Sequence, residues 1–363
     1  MSRSRNVIAG IVLSTLLSLP AIAAEDSPLS ASDRTAILQT LVAKINANYI
    51  EPAVGARLGR DITRKNASGG YASATSVKAF SEALALDLRE LSRDKHFSAV
   101  FYEGFTERTR ADVPSQAKIN EWRERAARRG FDIEKIERLP GNIGYIELRA
   151  FGGPEFASAA QSAAMSLLAG TDALILDLRR NGGGSPAGVA YLMSHFFPHG
   201  DQRHLIDIYD RPENTTRQIW TVPSVAQRYD KPVYVLTSAR TFSAGEDCAY
   251  DFQVHKRGTL VGETTGGGSN PVGWFSLGHD IIAAIPTSRT TNVVSKTNWE
   301  NVGVKPDIAV PAAQALQTAH VAILRKLVST AKDDTERKEL QRQLAMVEKG
   351  ETEKPVYTLR GEP

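Results

Sequence analysis

The sequence predicts an α/β protein with a helical N-terminal subdomain. Residues 31–93 carry apolar side chains at helical spacing: Ile37, Leu38, Leu41, Val42 and Ile45 form one stripe, and Val77, Phe80, Leu84, Leu88 and Leu91 another. From Asn142 onward, apolar runs of strand length alternate with segments of helix length. With 363 residues, 42% hydrophobic and 23% charged, the chain can bury a sizeable core and has neither a disordered nor a fibrous composition.

Residues 1–24 read as a secretory signal: Arg3 and Arg5 precede an apolar run over 7–19, and Ala21-Ile22-Ala23 resembles a cleavage site. The run is short for a permanent span and no stop-transfer pattern follows, so an exported protein, periplasmic or secreted, with no integral span after cleavage is expected. Residues 25–95 form the helical subdomain, its two stripes expected to pack on each other. After Asp94-Lys95-His96 the period changes, and Phe97, Ala99 and Phe101 alternate as in a strand. The polar stretch 107–139, with Arg123, Arg125, Arg128 and Arg129 near Glu124, reads as a solvated helix face in a strand-and-linker region, 96–140.

The core is expected at 141–315. It holds a strand at 143–150, a helix at 155–168, a buried strand at 173–178 and a Gly182-Gly183-Gly184 turn into a helix ending near Phe196. A strand at 232–237 leads through Thr241-Phe242-Ser243 into a helix to about Lys256, and strand-like pieces recur to Val310. A C-terminal helical tail, 316–363, is divided near Lys332-Asp333-Asp334. No fixed-period repeat is present.

Composition excludes several classes. The net charge of +3 comes without a basic, aromatic-interleaved stripe, so no nucleic-acid partner is expected. Cys248 is the sole cysteine, which rules out an intramolecular disulfide and a Cys-rich zinc site. Its acidic neighbours Glu246, Asp247 and Asp251 disfavour a reactive thiolate and point to a buried, inert thiol. His195, His199 and His204 have loose spacing without a partner motif and read as surface histidines, so no metal and no cofactor is expected.

Ser243 follows a strand and opens a helix, where free amides and the helix dipole favour a developing negative charge. The Ala244 amide would face an oxyanion formed at Ser243, and the small residues Ala244 and Gly245 would leave room for a substrate backbone. Ser243-Ala-Gly-Glu246 is equally a capping box. The Gly183 and Gly184 turn reads either as a second oxyanion amide or as a tight strand-to-helix connection. His255 is about 18 Å along the helix from Ser243, too far to act as its base. His96 lies at a helix-to-strand junction that can hold a side chain rigidly. Glu300 precedes a Gly- and Pro-marked turn, where it reads as a carboxylate orienting a histidine or as an exposed loop residue.

Taken in order, Asp-x-His at 94–96, Asp-x-Arg-x-Asn-Gly-Gly-Gly at 177–184, Thr-Phe-Ser-Ala-Gly-Glu at 241–246 and Glu-x-x-Gly-Val-x-Pro-Asp-Ile at 300–308 resemble the tail-specific, or C-terminal processing, serine peptidase family. The likeness covers roughly residues 30–315, and is greatest to the branch of tricorn protease and the interphotoreceptor retinoid-binding protein repeats. It implies a crotonase/ClpP-like core, a Ser243 nucleophile, a His96 base, a Glu300 orienting carboxylate, and an oxyanion hole from Ala244 with Gly183 or Gly184. Gly267 and Gly268 stand where the Ser-Lys branch has its lysine, which disfavours a Ser-Lys dyad and makes them candidate substrate-binding residues.

Lys95 replaces the serine that tricorn-like members place before the histidine, so a fourth member, with Ser98 as a candidate, is left open. About 45 residues separate His96 from Asn142, too few for a PDZ insert of ~100 residues. The expected activity is an exported serine endopeptidase acting on peptide or protein substrates, with homo-oligomerisation left open. The alternatives are a weak or inactive member binding a peptide or hydrophobic ligand, with Trp274, Phe275 and Trp299 near the glycine loop, and acyl-CoA chemistry, which export and the lack of a phosphate motif disfavour.

Overall fold

A computed structural model describes residues 26–107 and 113–351. The secretory-signal expectation for 1–24 and the last residues of the C-terminal tail lie outside them.

Three helices come first among the described residues: α1 (Ala31–Asn48), α2 (Pro52–Ala67) and α3 (Val77–Ser92). Ser30 and Ser76 cap the first and third, and Pro52 starts the second where its missing N–H costs nothing. The α1 and α3 stripes form one core, with Leu58 and Ile62 of α2 among them. That core is closed by an antiparallel sheet, β1 (Ser98–Phe101), β10 (Ile281–Pro286) and β9 (Val272–Gly278), in the order β1-β10-β9. The expected small bundle is therefore a helical layer on a sheet, because Phe97, Ala99, Leu277, Ile281, Ala283 and Ile285 bury against the same stripes.

The central sheet has six strands in the order β12 (Ile308–Ala309), β8 (Thr259–Gly262), β7 (Val233–Thr237), β4 (Ala173–Asp177), β3 (Ile143–Leu148) and β2 (Ile133–Leu139). All neighbours are parallel except β2 on β3. Alternation sorts the two faces. Leu174, Leu176, Val233, Val235 and Leu260 face α5 (Pro154–Leu167), α6 (Pro186–Met193) and α7 (Ala244–Val254) in one core. Ala173, Ile175, Leu236 and Val261 face α8 (Ala312–Ser329) and α9 (Asp334–Glu348) in another. The C-terminal helices thus cover one face of the sheet, and α8 runs across the boundary expected at 315. A third sheet orders β11 (Ser288–Asn292), β5 (His204–Asp210) and β6 (Thr215–Trp220), all antiparallel.

The polar region holds α4 (Gln116–Arg128), without a buried residue, as expected of a solvated helix. It also holds β2, hidden from the pattern because this edge strand is largely exposed and shows no apolar alternation. His195 corrects the surface reading: it is fully buried, and its Nδ1 lies 3.2 Å from the Leu192 carbonyl. Burial, with the nearby Arg228 charge acting in the same direction, pushes its pKa down to about 4.

Gly184 has φ +138°, and a Cβ there would lie 2.2 Å from the Phe151 carbonyl oxygen; at Gly182 a Cβ would meet nothing within 4 Å. Gly184→Ala is expected to destabilise the protein by ~3 kcal/mol or more and Gly182→Ala by less than ~1 kcal/mol, measured as urea midpoints.

Candidate active site

Three separate parts of the fold converge on Ser243. The first is the β7–α7 turn. Ser243 has φ 54° and ψ −121°, a conformation that costs an L-residue on the order of 1–3 kcal/mol. A dense set of hydrogen bonds holds it. Thr241 Oγ1 donates to the Leu178 carbonyl (2.8 Å), the Ser238 hydroxyl to the Arg179 carbonyl (2.6 Å) and the Phe242 N–H to the Asn181 carbonyl (3.0 Å). The glycine-rich loop after β4 and the Ser243 turn are therefore one unit.

Within that loop, Asp177 and Arg179 pair at 2.6 Å, and the Asn181 side chain donates to the Leu148 carbonyl while accepting the Gly183 N–H. A Cβ on Gly245 would meet Asn181 Oδ1 at 2.7 Å. Gly245 therefore makes room for Asn181 rather than for substrate, correcting the sequence reading.

Of the four amides that open α7, those of Gly245, Glu246 and Asp247 donate to the Phe242 and Ser243 carbonyls. The Ala244 N–H is the one that no hydrogen bond of the described residues uses. Gly183 (φ +107°) abuts the same place: a Cβ on it would lie 2.8 Å from Ser243 Cβ and 3.3 Å from the Ala244 nitrogen. Gly183 spends its own N–H on Asn181 (2.9 Å), whereas that of Gly184 is uncommitted among the described residues.

Glu246 has a role that the capping-box pattern only half revealed. Its carboxylate accepts the Ser243 N–H (2.9 Å), the Thr265 hydroxyl (2.6 Å) and the N–H groups of Gly267 (2.6 Å) and Gly268 (2.9 Å). Burial pushes its pKa up, and these four donors pull it back. The Glu246 half of the capping box is the bond from the Ser243 N–H.

Gly267 and Gly268 therefore have no N–H free for substrate, and their carbonyls accept from the Asn301 N–H (3.0 Å) and Trp299 Nε1 (2.7 Å). As direct substrate contacts they are replaced by a positional role. A Cβ on Gly268 would lie 2.3 Å from Phe242 Cζ and 2.8 Å from His96 Cε1, so only glycine lets the second part of the site approach.

That second part is His96, between α3 and β1. Asp94 Oδ1 accepts the His96 N–H (3.0 Å), and buried Phe97 anchors the following residue in the helical core. The imidazole packs on Phe242, the neighbour of Ser243, with centroids 4.6 Å apart. Desolvation lowers the pKa of His96 to about 4.

The third part is Glu300, in the loop after β11. Its Oε2 accepts the Ser269 N–H at 2.6 Å, and desolvation, then the charge of Asp94, push its pKa up to about 7. Ligand-type atoms of Asp94, His96 and Glu300 lie within 4.8 Å of one another. His96 Nδ1 and Glu300 Oε1 are both buried without a partner, and no hydrogen bond of the described residues links the imidazole to Ser243. Such contacts are often long before substrate is bound.

Asp94 enters as part of the Asp-x-His motif but emerges as a buried member of the cluster, accepting also from Asn270 Nδ2 (3.1 Å). Lys95 is exposed and donates to the Gly266 carbonyl, while Ser98 is in β1 opposite Ala284. The hydroxyl that neighbours Glu300 belongs to Ser269, whose buried Oγ has no well-formed hydrogen bond. No sequence signal marked it, because it is 31 residues from Glu300 along the chain. His255, Cys248 and the other histidines stay outside this cluster; Cys248 is fully buried and its thiol is pushed up by desolvation and by Asp251.

A hydroxyl on a strained strand-to-helix turn, an unspent amide beside it, and a histidine and carboxylate brought up from other parts of the fold define a serine-hydrolase type of site. The sequence model of peptidase family S41 matches residues 142–310, and that of the N-terminal domain of this family in eukaryotic IRBP matches 30–134, about three quarters of the chain together. The chain belongs to peptidase family S41.

It is 32% identical over 192 residues to the chloroplastic carboxyl-terminal-processing peptidase 2 of Arabidopsis thaliana, covering 49% of this chain and 35% of the relative. A C-terminal processing peptidase of Tetradesmus obliquus is 30% identical over 192 residues, covering 52% and 39%. The chain thus spans little more than a third of the length of these curated relatives. Among solved structures, a candidate peptidase from Parabacteroides merdae shares the fold with a TM-score of 0.52 at 20% identity, covering 78% of this chain and 90% of that one. A lipoprotein from Streptococcus agalactiae does so with a TM-score of 0.51 at 15% identity, covering 83% and 98%.

Glu246→Gln would set an amide NH₂ against donors whichever way it turned. It is expected to lower stability by ~2–4 kcal/mol in urea denaturation. Glu300 behaves oppositely. Its folded pKa of about 7 exceeds the ordinary 4.5, so its stability contribution is present below pH 4.5 and lost as pH rises through 7. Glu300→Gln should raise the melting temperature at pH 8 by on the order of a few degrees and leave it unchanged at pH 4.

Proposed function

We propose that this protein is a serine endopeptidase that cleaves peptide or protein substrates through a Ser243 acyl-enzyme. His96 takes the Ser243 proton, Ser243 Oγ attacks the peptide carbonyl, and the oxyanion is held by the Ala244 N–H with the Gly184 N–H, since that of Gly183 is spent on Asn181. His96 then returns the proton to the leaving amine, and water hydrolyses the ester by the same route in reverse. Glu300 orients His96 through Nδ1–H and stabilises the imidazolium, with Ser269 and Asp94 holding the pair in place. Residues 1–24 support an exported, periplasmic or secreted setting, and among the described residues no helix is long and apolar enough to cross a membrane.

The observation that carries this reading is the unspent Ala244 amide beside a strained Ser243, in the turn on which His96 packs. One observation favours a second reading, a weak or inactive member that binds peptide: His96 Nδ1 and Glu300 Oε1 stand unjoined. A fluorophosphonate probe separates the two. Labelling at Ser243, abolished in Ser243→Ala together with ~10³-fold or more of peptidase turnover, is expected; an unlabelled wild-type protein supports the binder.

The pH profile follows from the same groups. His96 is neutral above about pH 4, while Glu300 must ionise near pH 7 to accept Nδ1–H. kcat/KM should therefore rise with pH through an inflection near 7, a value belonging to the coupled pair. Glu300→Gln should remove that inflection; an unchanged profile would exclude Glu300 from the relay.

A further inference from the structure

Asp94, His96 and Glu300 also form a different kind of site. Each offers one ligand atom, and the three lie within 4.8 Å of one another. One imidazole and two carboxylates are a donor set for zinc-class divalent cations, neither the all-oxygen set of calcium nor the thiolate set of soft ions. An independent observation points the same way: two atoms of these side chains, His96 Nδ1 and Glu300 Oε1, are buried and have no partner.

The remaining atoms are held in an outer shell. Asp94 Oδ1 and Oδ2 accept from the His96 N–H (3.0 Å) and Asn270 Nδ2 (3.1 Å), and Glu300 Oε2 from the Ser269 N–H (2.6 Å), contacts that orient ligands and leave lone pairs free. Two carboxylates facing each other in a partly dry site are costly, and a dication would neutralise both.

We propose that Asp94, His96 Nδ1 and Glu300 form an inhibitory binding site for a zinc-class divalent cation. Its inhibitory part rests on the proposed relay. The cation takes the Nδ1 lone pair of the neutral imidazole, so the single ring proton resides on Nε2, and any proton on Glu300 leaves to solvent. An Nε2–H cannot accept the Ser243 proton, and Nδ1 is no longer available to Glu300. Cation binding and catalysis exclude each other. Ligation draws the atoms together to about 3.3 Å, the spacing set by metal–ligand bonds of about 2.0–2.1 Å in a tetrahedron.

The test separates the site from the relay. Ser243→Ala protein is titrated with zinc chloride against a chromogenic chelator. One zinc per chain is expected, with affinity falling at least ~10-fold when Asp94→Asn or Glu300→Gln is added. His204→Ala, which removes the imidazole beside Asp207, should leave it unchanged. In wild-type protein, zinc should block fluorophosphonate labelling of Ser243, and EDTA should restore it. No saturable binding at about 100 μM zinc, or equal binding in both Asp94→Asn and Glu300→Gln, overturns the site. Zinc binding with the expected variant pattern but unblocked labelling overturns the inhibitory role alone. Should the variants fail to fold by circular dichroism, anomalous scattering from zinc-soaked Ser243→Ala crystals decides: a peak among the three side chains supports the site, and its absence there overturns it.

Discussion

The buried carboxylate of Glu246 is the interaction on which the site depends. One side chain on α7 ties down the Ser243 N–H, the Thr265 hydroxyl and the amides of Gly267 and Gly268. An ionised carboxylate is acceptor-only with about four lone-pair positions, so it satisfies four donors without needing one in return. Charge-assisted bonds of this kind are among the stronger ones a protein interior makes. They oppose both the desolvation of the carboxyl group and the strain at Ser243.

From that anchor the rest of the site is assembled by contact. Gly268 lies against Phe242 and His96, its carbonyl holds the Trp299 indole, and the next residue, Ser269, donates to Glu300. Ser243 comes from the central sheet and its helix α7. The histidine comes from the end of the N-terminal helical layer, and the carboxylate from the loop after the third sheet. None of these parts alone holds a complete site, so its geometry reports on how the layers pack together. The burial that fixes His96 and Glu300 also moves their pKa values apart, to about 4 and about 7, which keeps the imidazole neutral while the carboxyl titrates near neutrality.

The helical stripes, the buried strands and the Ser243 turn were legible in the sequence because period and turn chemistry are local. Even there, local pattern misled where burial decided the outcome. His195 reads as a surface residue from its loose histidine spacing, yet its apolar neighbours Leu192, Met193, Phe196 and Phe197 carry it into the core, where it is fully buried beside Tyr191 and Ser162. Strand β2 pairs along the exposed edge of the central sheet and needs no apolar alternation to do so. Gly245 and Gly267–Gly268 were read as space for substrate, whereas they are space for Asn181, for the loop around Gly303, and for Phe242 and His96.

By itself, then, the sequence determined the apolar helices and buried strands, the order of the motifs, and Ser243 at the opening of α7, since each depends on residues a few positions apart. Only the tertiary structure decided what Glu246 holds, that Asp94 and Ser269 neighbour Glu300, and which amide beside Ser243 is left unspent. Those outcomes join residues up to 206 positions apart, Asp94 to Glu300, and follow from desolvation and from competition among donors for a few buried acceptors. Neither quantity exists until the layers have packed.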